Sequence, residues 1–289
     1  MPSPTLALTN SFSSLAPDYD VVLCDVWGVV HNGVAAWPDA CDALRRFRDR
    51  GGTVVLISNA PRPGDRLVVQ LDGFKVPRSA YDGIVSSGDV TRAEIAARPG
   101  LPVFHLGPAR DRALFEGLDA PRVGAEEAHY VVCSGLFDDE TETPDDYRGL
   151  LEGFLARKAP MICANPDVVV ERGDRLLYCA GALADLYAAM GGTVLYAGKP
   201  YRPIYERALA AAAARRGAEP ALGRVLAIGD SVRTDLKGAA ALGIDCLFVT
   251  SGIHAEELGG REDPDLRILA RLFEEAGVHP RAVTRRLKW

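Results

Sequence analysis

Two aspartates in this chain, Asp25 and Asp230, stand where apolar runs stop, a place suited to chemistry. The first run, Val21-Val22-Leu23-Cys24, ends at Asp25. The second, Arg224 to Ile228, leads into Gly229-Asp230, with Asp235 five residues on. Short β-branched runs without polar alternation predict strands buried on both faces. Ligands of open α/β sheets bind at the carboxyl ends of such strands, so each aspartate is set for chemistry. Asp230 and Asp235 straddle a strand end and a helix start, a spacing that suits a hard divalent cation. Plainer uses stand beside these: Asp25 could cap a turn, and Thr234 or Asp235 could cap a helix predicted over 235–242.

Other polar residues sit at comparable places. The run Thr53 to Ile57 ends in Ser58-Asn59-Ala60-Pro61. A hydroxyl, an amide and exposed backbone N–H groups at a strand end suit a phosphate, and they equally suit a helix cap. Ala164-Asn165-Pro166-Asp167 follows a predicted strand, and Cys179-Ala180-Gly181-Ala182 opens a helix. Both could face a ligand, and both also have ordinary turn and helix-start chemistry. Gly198-Lys199-Pro200 follows the run Thr193 to Tyr196.

The elements that must position these residues alternate. Strands are predicted over 21–24, 53–57, 83–85, 102–106, 129–133, 161–163, 193–196, 224–228 and 244–249, and helices over 38–50, 63–71, 89–97, 110–117, 144–157, 203–216 and 235–242. Alternation of this kind predicts parallel sheets with right-handed crossovers, a Rossmann-like α/β core of about five strands. A βα barrel shares the alternation and is the alternative fold. Pro99-Gly100 and Gly191-Gly192 bracket a stretch with its own strands and helices. It reads as a second, inserted α/β domain over 89–195, with 1–88 and 196–289 forming the core domain. Residues 1–19 read as a surface leader. The stretch from Ala255 reads as a charged, partly helical tail whose Trp289 docks on an apolar patch.

Composition narrows the function classes. The chain has 289 residues, 48% apolar and 25% charged, with a net charge of −6. That is ordinary for a folded protein and argues against nucleic-acid binding, which leaves a basic footprint. Six scattered cysteines without a CxxC pair predict buried reduced thiols rather than zinc ligands or disulfides. Neither a secretory signal nor a membrane span is visible, so a cytoplasmic location is expected. GxGxxG, P-loop and GxSxG stretches are absent, so the dinucleotide, P-loop and serine-hydrolase readings lose their main support.

Taken in order, Asp25-x-x-Gly, Ser58-Asn59, Lys199-Pro and Gly229-Asp230-x-x-x-x-Asp235 resemble the haloacid dehalogenase superfamily of phosphatases. The insertion between the second and third of these is similar to that of its subfamily IIA, which holds NagD-like proteins and p-nitrophenyl phosphatases. Asn165-Pro166-Asp167 and Gly181-Ala182 are similar to that branch's cap. The resemblance covers roughly residues 20–255. It implies Mg²⁺-dependent hydrolysis of a small phosphorylated metabolite: a sugar phosphate, phosphoglycolate, a nucleotide or pyridoxal phosphate. Asp25 would be the nucleophile and form an aspartyl-phosphate. Ser58 and Asn59, with nearby backbone N–H groups, would hold the phosphoryl oxygens. Lys199 would neutralise charge between nucleophile and phosphoryl group. Asp25, the Trp27 backbone carbonyl, Asp230 and Asp235 would surround the metal. Asn165, Asp167, Gly181 and Ala182 would lie over the leaving group, and apolar faces of the cap could pair two copies as a homodimer.

One residue departs from the pattern. The family's phosphatases carry Asp-x-Asp, whose second aspartate protonates the leaving oxygen and then activates water; here that position is Trp27. Indole has no titratable proton near neutral pH. Three consequences are open. Another group could substitute, with His31 the nearest in sequence and His254 further off. The enzyme could be slow, or restricted to good leaving groups. Or the chain could be a catalytically impaired binding or regulatory protein on the same fold. Dehalogenation is a weaker alternative, because it does not need the Asp230 and Asp235 metal-type stretch.

Overall fold

The computed structural model describes residues 8, 9, 11–172 and 175–289. In chain order, β1 (Val21–Asp25), α1 (Pro38–Asp49), β2 (Thr53–Ser58), α2 (Gly64–Gly73) and β3 (Gly83–Ser86) come first. Next are α3 (Ser87–Ala96), β4 (Val103–Leu106), β5 (Tyr130–Cys133), α4 (Arg148–Ala156) and β6 (Met161–Cys163). Then follow β7 (Val169–Arg172), β8 (Arg175–Tyr178), α5 (Ala180–Ala189) and β9 (Val194–Tyr196). The chain continues through α6 (Arg202–Arg216), β10 (Val225–Gly229), α7 (Lys237–Leu242), β11 (Asp245–Val249), α8 (Leu266–Ala276) and β12 (Ala282–Thr284). These elements form two compact units, residues 1–58, 68–85 and 205–289 in the first, and 59–67 and 86–204 in the second.

The first unit is built on an open sheet of order β12-β11-β10-β1-β2-β3. An open sheet excludes the barrel. Pairings from β12 through β2 are parallel. Every residue of β1 and β10 is buried, as continuous apolar strands covered on both faces must be. From β1 the chain first moves outward to β2 and β3, and later returns on the other side to build β10, β11 and β12. The direction reverses between β1 and β10, and a crevice opens at such a switch point, outside the carboxyl ends of the strands. Asp25 ends β1 and Asp230 follows β10, so both aspartates stand there.

Two expectations for this unit are corrected. The described part of the leader is not superficial: Phe12 and Ala16 are buried in the core, and Phe12 packs on Phe47 at 5.5 Å and edge-on to Trp289 at 5.8 Å. Those two apolar side chains gain by leaving water, while the Ser and Thr residues around them stay half-buried or exposed. The tail also contributes a sixth strand, β12, paired with β11. Trp289 lies against the core, with the Arg50 guanidinium 4.7 Å from its ring centroid.

The second unit has a parallel sheet of order β4-β5-β6-β9 and a separate antiparallel hairpin, β7–β8. Leu151, Phe154, Leu183 and Tyr187 from α4 and α5 fill one side of that sheet. The segment predicted as a helix over 110–117 is a 3₁₀ helix, Ala109–Phe115, and the one over 144–157 begins with a 3₁₀ turn, Pro144–Tyr147. The hairpin was not foreseen. All six cysteines are buried and free, as the sequence predicts. Among the described residues no helix is long and apolar enough to cross a membrane.

Candidate active site

Three buried carboxylates meet at the switch point of the first unit. Asp25, Asp230 and Asp235 each offer an oxygen within 4.8 Å of the others. Parallel pairing aligns Cys24 with Ile228, which carries Asp25 and Asp230 to neighbouring strand ends. Asp235 is brought back by a turn. Val232–Leu236 forms one wide π-helical turn before α7, so the helix predicted to start at 235 is entered earlier and differently. Ser231 caps that turn by accepting the Thr234 N–H at 3.3 Å, and its own N–H donates to Asp235 Oδ2 at 3.2 Å. His254 braces the same turn: its Nε2 accepts the Val232 N–H at 3.3 Å, and its Nδ1 faces Glu257 Oε2 at 3.0 Å.

Asp230 is held by its surroundings. Ile253 N–H donates to its Oδ2 at 2.9 Å. Gly28 has φ +81°, a backbone region that side chains rarely enter, and a Cβ there would lie 2.1 Å from the same oxygen. A Cβ on Gly252 would lie 1.7 Å from it. The carboxylate therefore occupies room that only two glycines leave open. Three carboxylates gathered this closely in a buried place repel one another unless positive charge lies between them. An all-oxygen, anionic donor set is the chemistry of a hard divalent cation such as Mg²⁺ or Ca²⁺, so these residues fit the implied metal.

Trp27 and His31 belong to the loop after β1. The Trp27 indole is half-buried and fills the space over Gly33, where a Cβ would meet its ring at 2.6 Å. It meets the His31 ring edge-on at 5.1 Å, and His31 stacks at a tilt on Phe74 at 4.7 Å. His31 is buried, and its Nδ1 accepts the Gly33 N–H at 2.9 Å. Burial pushes its imidazole down to about 4. An imidazole so hard to protonate is a poor proton donor near neutral pH, and one of its nitrogens is already engaged in the loop. These surroundings are those of a packing residue, and they give no support to the acid–base role expected of His31.

That burial has a pH consequence. The unfolded imidazole protonates near 6.5 and the folded one near 4. Between those values the unfolded chain binds the extra proton, so stability rises with pH across that window. The contribution is complete above about 6.5, is lost as pH falls toward 4, and amounts to about 3 kcal/mol. His31→Gln, whose side-chain carbonyl can still accept the Gly33 N–H, is expected to show a smaller drop in melting temperature between about pH 7 and pH 5 than the parent. Equal drops in the two proteins would contradict this account of His31.

Ser58 ends β2, one register position beyond the Asp25–Ile57 pair. The remaining predicted residues lie in the second unit. Asn59 is buried, and its carboxamide is occupied: Oδ1 accepts the Lys199 N–H at 2.7 Å, and Nδ2 donates to Lys199 O at 3.1 Å and Asp167 Oδ1 at 2.9 Å. Lys199 is buried and followed by a cis peptide to Pro200. Asn165 Oδ1 accepts the Asp167 N–H at 3.1 Å, closing the turn ahead of α5. Gly181 lies against that turn, where a Cβ would meet Pro166 O at 2.4 Å, and Ala182 follows within α5. The structure thus gathers the predicted residues into two groups: Asp25, Asp230 and Asp235, and Asn59, Asp167 and Lys199. Sequence reasoning missed Gly252, Ile253 and the brace from His254; the only signal was Thr250-Ser251-Gly252 closing a predicted strand.

Known proteins resemble this chain in sequence and fold. Residues 22–120 match a family model described as haloacid dehalogenase-like hydrolase, and residues 196–275 match a HAD-hydrolase-like model. A haloacid dehalogenase-like hydrolase from Brucella suis 1330 is 47% identical, with a TM-score of 0.86 over 97% of this chain and 100% of that one. This chain belongs to the haloacid dehalogenase superfamily, in its subfamily IIA branch. The 5'-nucleotidase YutF of Bacillus subtilis (strain 168) is 26% identical over 243 residues, 83% of this chain and 90% of that protein. A glycerol phosphate phosphatase from Mycobacterium tuberculosis, solved in complex with magnesium, shares the fold with a TM-score of 0.63. It is 22% identical and covers 87% of this chain and 74% of its own.

Proposed function

We propose that this protein is a phosphoric monoester hydrolase that works with Mg²⁺ on a small phosphorylated metabolite. The observation that carries the reading is the trio of buried carboxylates at the switch point, one of them ending β1. Asp25 is the nucleophile. Its carboxylate attacks phosphorus, the bond from phosphorus to the ester oxygen breaks, and an aspartyl-phosphate forms as the leaving oxygen departs as an alkoxide and takes a proton from solvent water. Water then attacks that phosphorus, releasing inorganic phosphate and restoring the carboxylate. Ser58 donates its hydroxyl to a phosphoryl oxygen, and Lys199 offsets the charge of two anions brought together. Asp25, Asp230, Asp235 and the Trp27 carbonyl would hold the cation, which would supply positive charge to offset that of the phosphoryl group. The second unit serves as the cap that selects the leaving group.

Phosphate release from a panel of nucleotides, sugar phosphates, phosphoglycolate, pyridoxal phosphate and p-nitrophenyl phosphate, with and without chelator, tests the reading. Chelator-sensitive turnover of at least one ester is expected. Absence of release from every ester, with Mg²⁺ bound, would contradict it and favour a phosphate-binding role, which Trp27 makes the second reading. The cradle of Asp230 gives a sharper expectation. Gly28→Ala places a methyl group in its carboxylate and strains the backbone, so Mg²⁺ affinity should fall about 10–100-fold. A calorimetric titration showing unchanged affinity in a folded Gly28→Ala protein would remove Asp230 from the metal site.

A further inference from the structure

We propose that Asn59 is a positioning residue for Lys199 and Asp167, rather than a phosphate ligand; this rests on the phosphatase reading for the role of Lys199. A carboxamide has two N–H donors, and both are used, one on Lys199 O at 3.1 Å and one on Asp167 Oδ1 at 2.9 Å. The side chain keeps no N–H to donate to a phosphoryl oxygen. The orientation of the amide is forced. Turned over, its nitrogen would face the Lys199 N–H, and its oxygen would face a carbonyl and a carboxylate.

The pair of bonds to Lys199 engages both polar groups of that residue's backbone. A lysine side chain is a flexible four-carbon stem, so the place of its ammonium depends on how firmly the backbone is anchored. Here the anchor is one side chain, 140 residues away in sequence. Gly198 admits it, since a Cβ there would lie 2.4 Å from Asn59 Oδ1 and 2.7 Å from Pro166 Cδ. The third bond fixes Asp167, whose carbonyl accepts the Gly181 N–H at 3.1 Å at the start of α5. One carboxamide therefore ties together the loop after β2, the turn before the hairpin, and the lysine loop.

Two readouts test the assignment. The chain has five lysines: Lys75, Lys158, Lys199, Lys237 and Lys288. Acetic anhydride labelling followed by mass spectrometry reports on each. In Asn59→Ala, labelling of Lys199 is expected to rise about tenfold or more while the other four are unchanged, as for a local opening. Unchanged labelling of Lys199 would overturn the proposal, whether or not any ester is hydrolysed. The second readout is a mutant cycle in kcat. Asn59→Ala should cost about 10–100-fold in the parent and less than about threefold in Lys199→Ala, because a residue acting through another has no further effect once that other is gone. Equal losses in both backgrounds would overturn it. Should Asn59→Ala fail to fold, Asn59→Asp combined with Asp167→Asn exchanges donor and acceptor in the bond between those two side chains and leaves only the bond to Lys199 O unmade. That pair is expected to return Lys199 labelling toward the parent level from the raised level of Asn59→Asp alone, and no return would count against the clamp. A parent protein that turns over no ester would defeat the phosphatase reading while the labelling result still decides the clamp.

Discussion

Asp25→Asn should abolish multiple turnover, with a loss on the order of 10⁴–10⁶-fold at saturating Mg²⁺. The change is nearly isosteric, so the buried end of β1 and its pairing with β2 and β10 should persist. What is lost is an anionic nucleophile and one of three carboxylates that approach within 4.8 Å. The amide oxygen is still a donor to a cation, so Mg²⁺ should bind more weakly but still bind. Retained Mg²⁺ binding with no phosphate release is the expected pair of results. Release at the parent rate would mean that water attacks the ester directly and that Asp25 serves only the metal.

Trp27→Asp should raise the rate, by about 10²–10⁴-fold on esters with poor leaving groups. The gain on p-nitrophenyl phosphate should be smaller, because its phenolate departs with little need of a proton. The side chain at this position stands two residues after Asp25, the proposed nucleophile, at the place where the resemblance puts an acid–base aspartate. The substitution has a structural cost. The half-buried indole fills the space over Gly33 and meets the His31 ring at 5.1 Å, so its removal should cost about 2 kcal/mol, less than a fully buried aromatic. Trp27→Phe keeps an aromatic ring without a carboxyl group and controls for that loss. A folded, Mg²⁺-binding Trp27→Asp protein no faster than Trp27→Phe on any ester would show that proton transfer at this position does not limit the rate.

The carboxylate cluster was legible in the sequence because each part is a local signal. A continuous apolar run marks a buried parallel strand, and a carboxylate at its end marks the sheet edge where ligands bind. The pairing of β1 with β10, which brings the two strand ends together, is not contained in that alternation and is seen in the structure. The hairpin was hidden because Glu171, Arg172 and Arg175 interrupt the apolar alternation of its short strands. Strand β12 is three residues long, and pairing with β11, with a single bridge from Leu8 to Val283, makes it a strand. The role of Asn59 was illegible for a different reason. An amide after a strand is equally a phosphate ligand, a cap or a clamp, and its partners lie 108 and 140 residues along the chain. Likewise, nothing near His31 in sequence announces that Phe74 will bury it.

The most direct test of the central claim is to trap the covalent intermediate. The protein is mixed with Mg²⁺ and p-nitrophenyl phosphate, quenched in acid within one turnover, and the peptide carrying Asp25 is examined by mass spectrometry. The account predicts the added mass of one phosphoryl group on Asp25, absent from Asp25→Asn and lost on neutral hydroxylamine treatment, as an acyl phosphate requires. Steady phosphate release with no label at Asp25 at any quench time, or label on another residue, would contradict it.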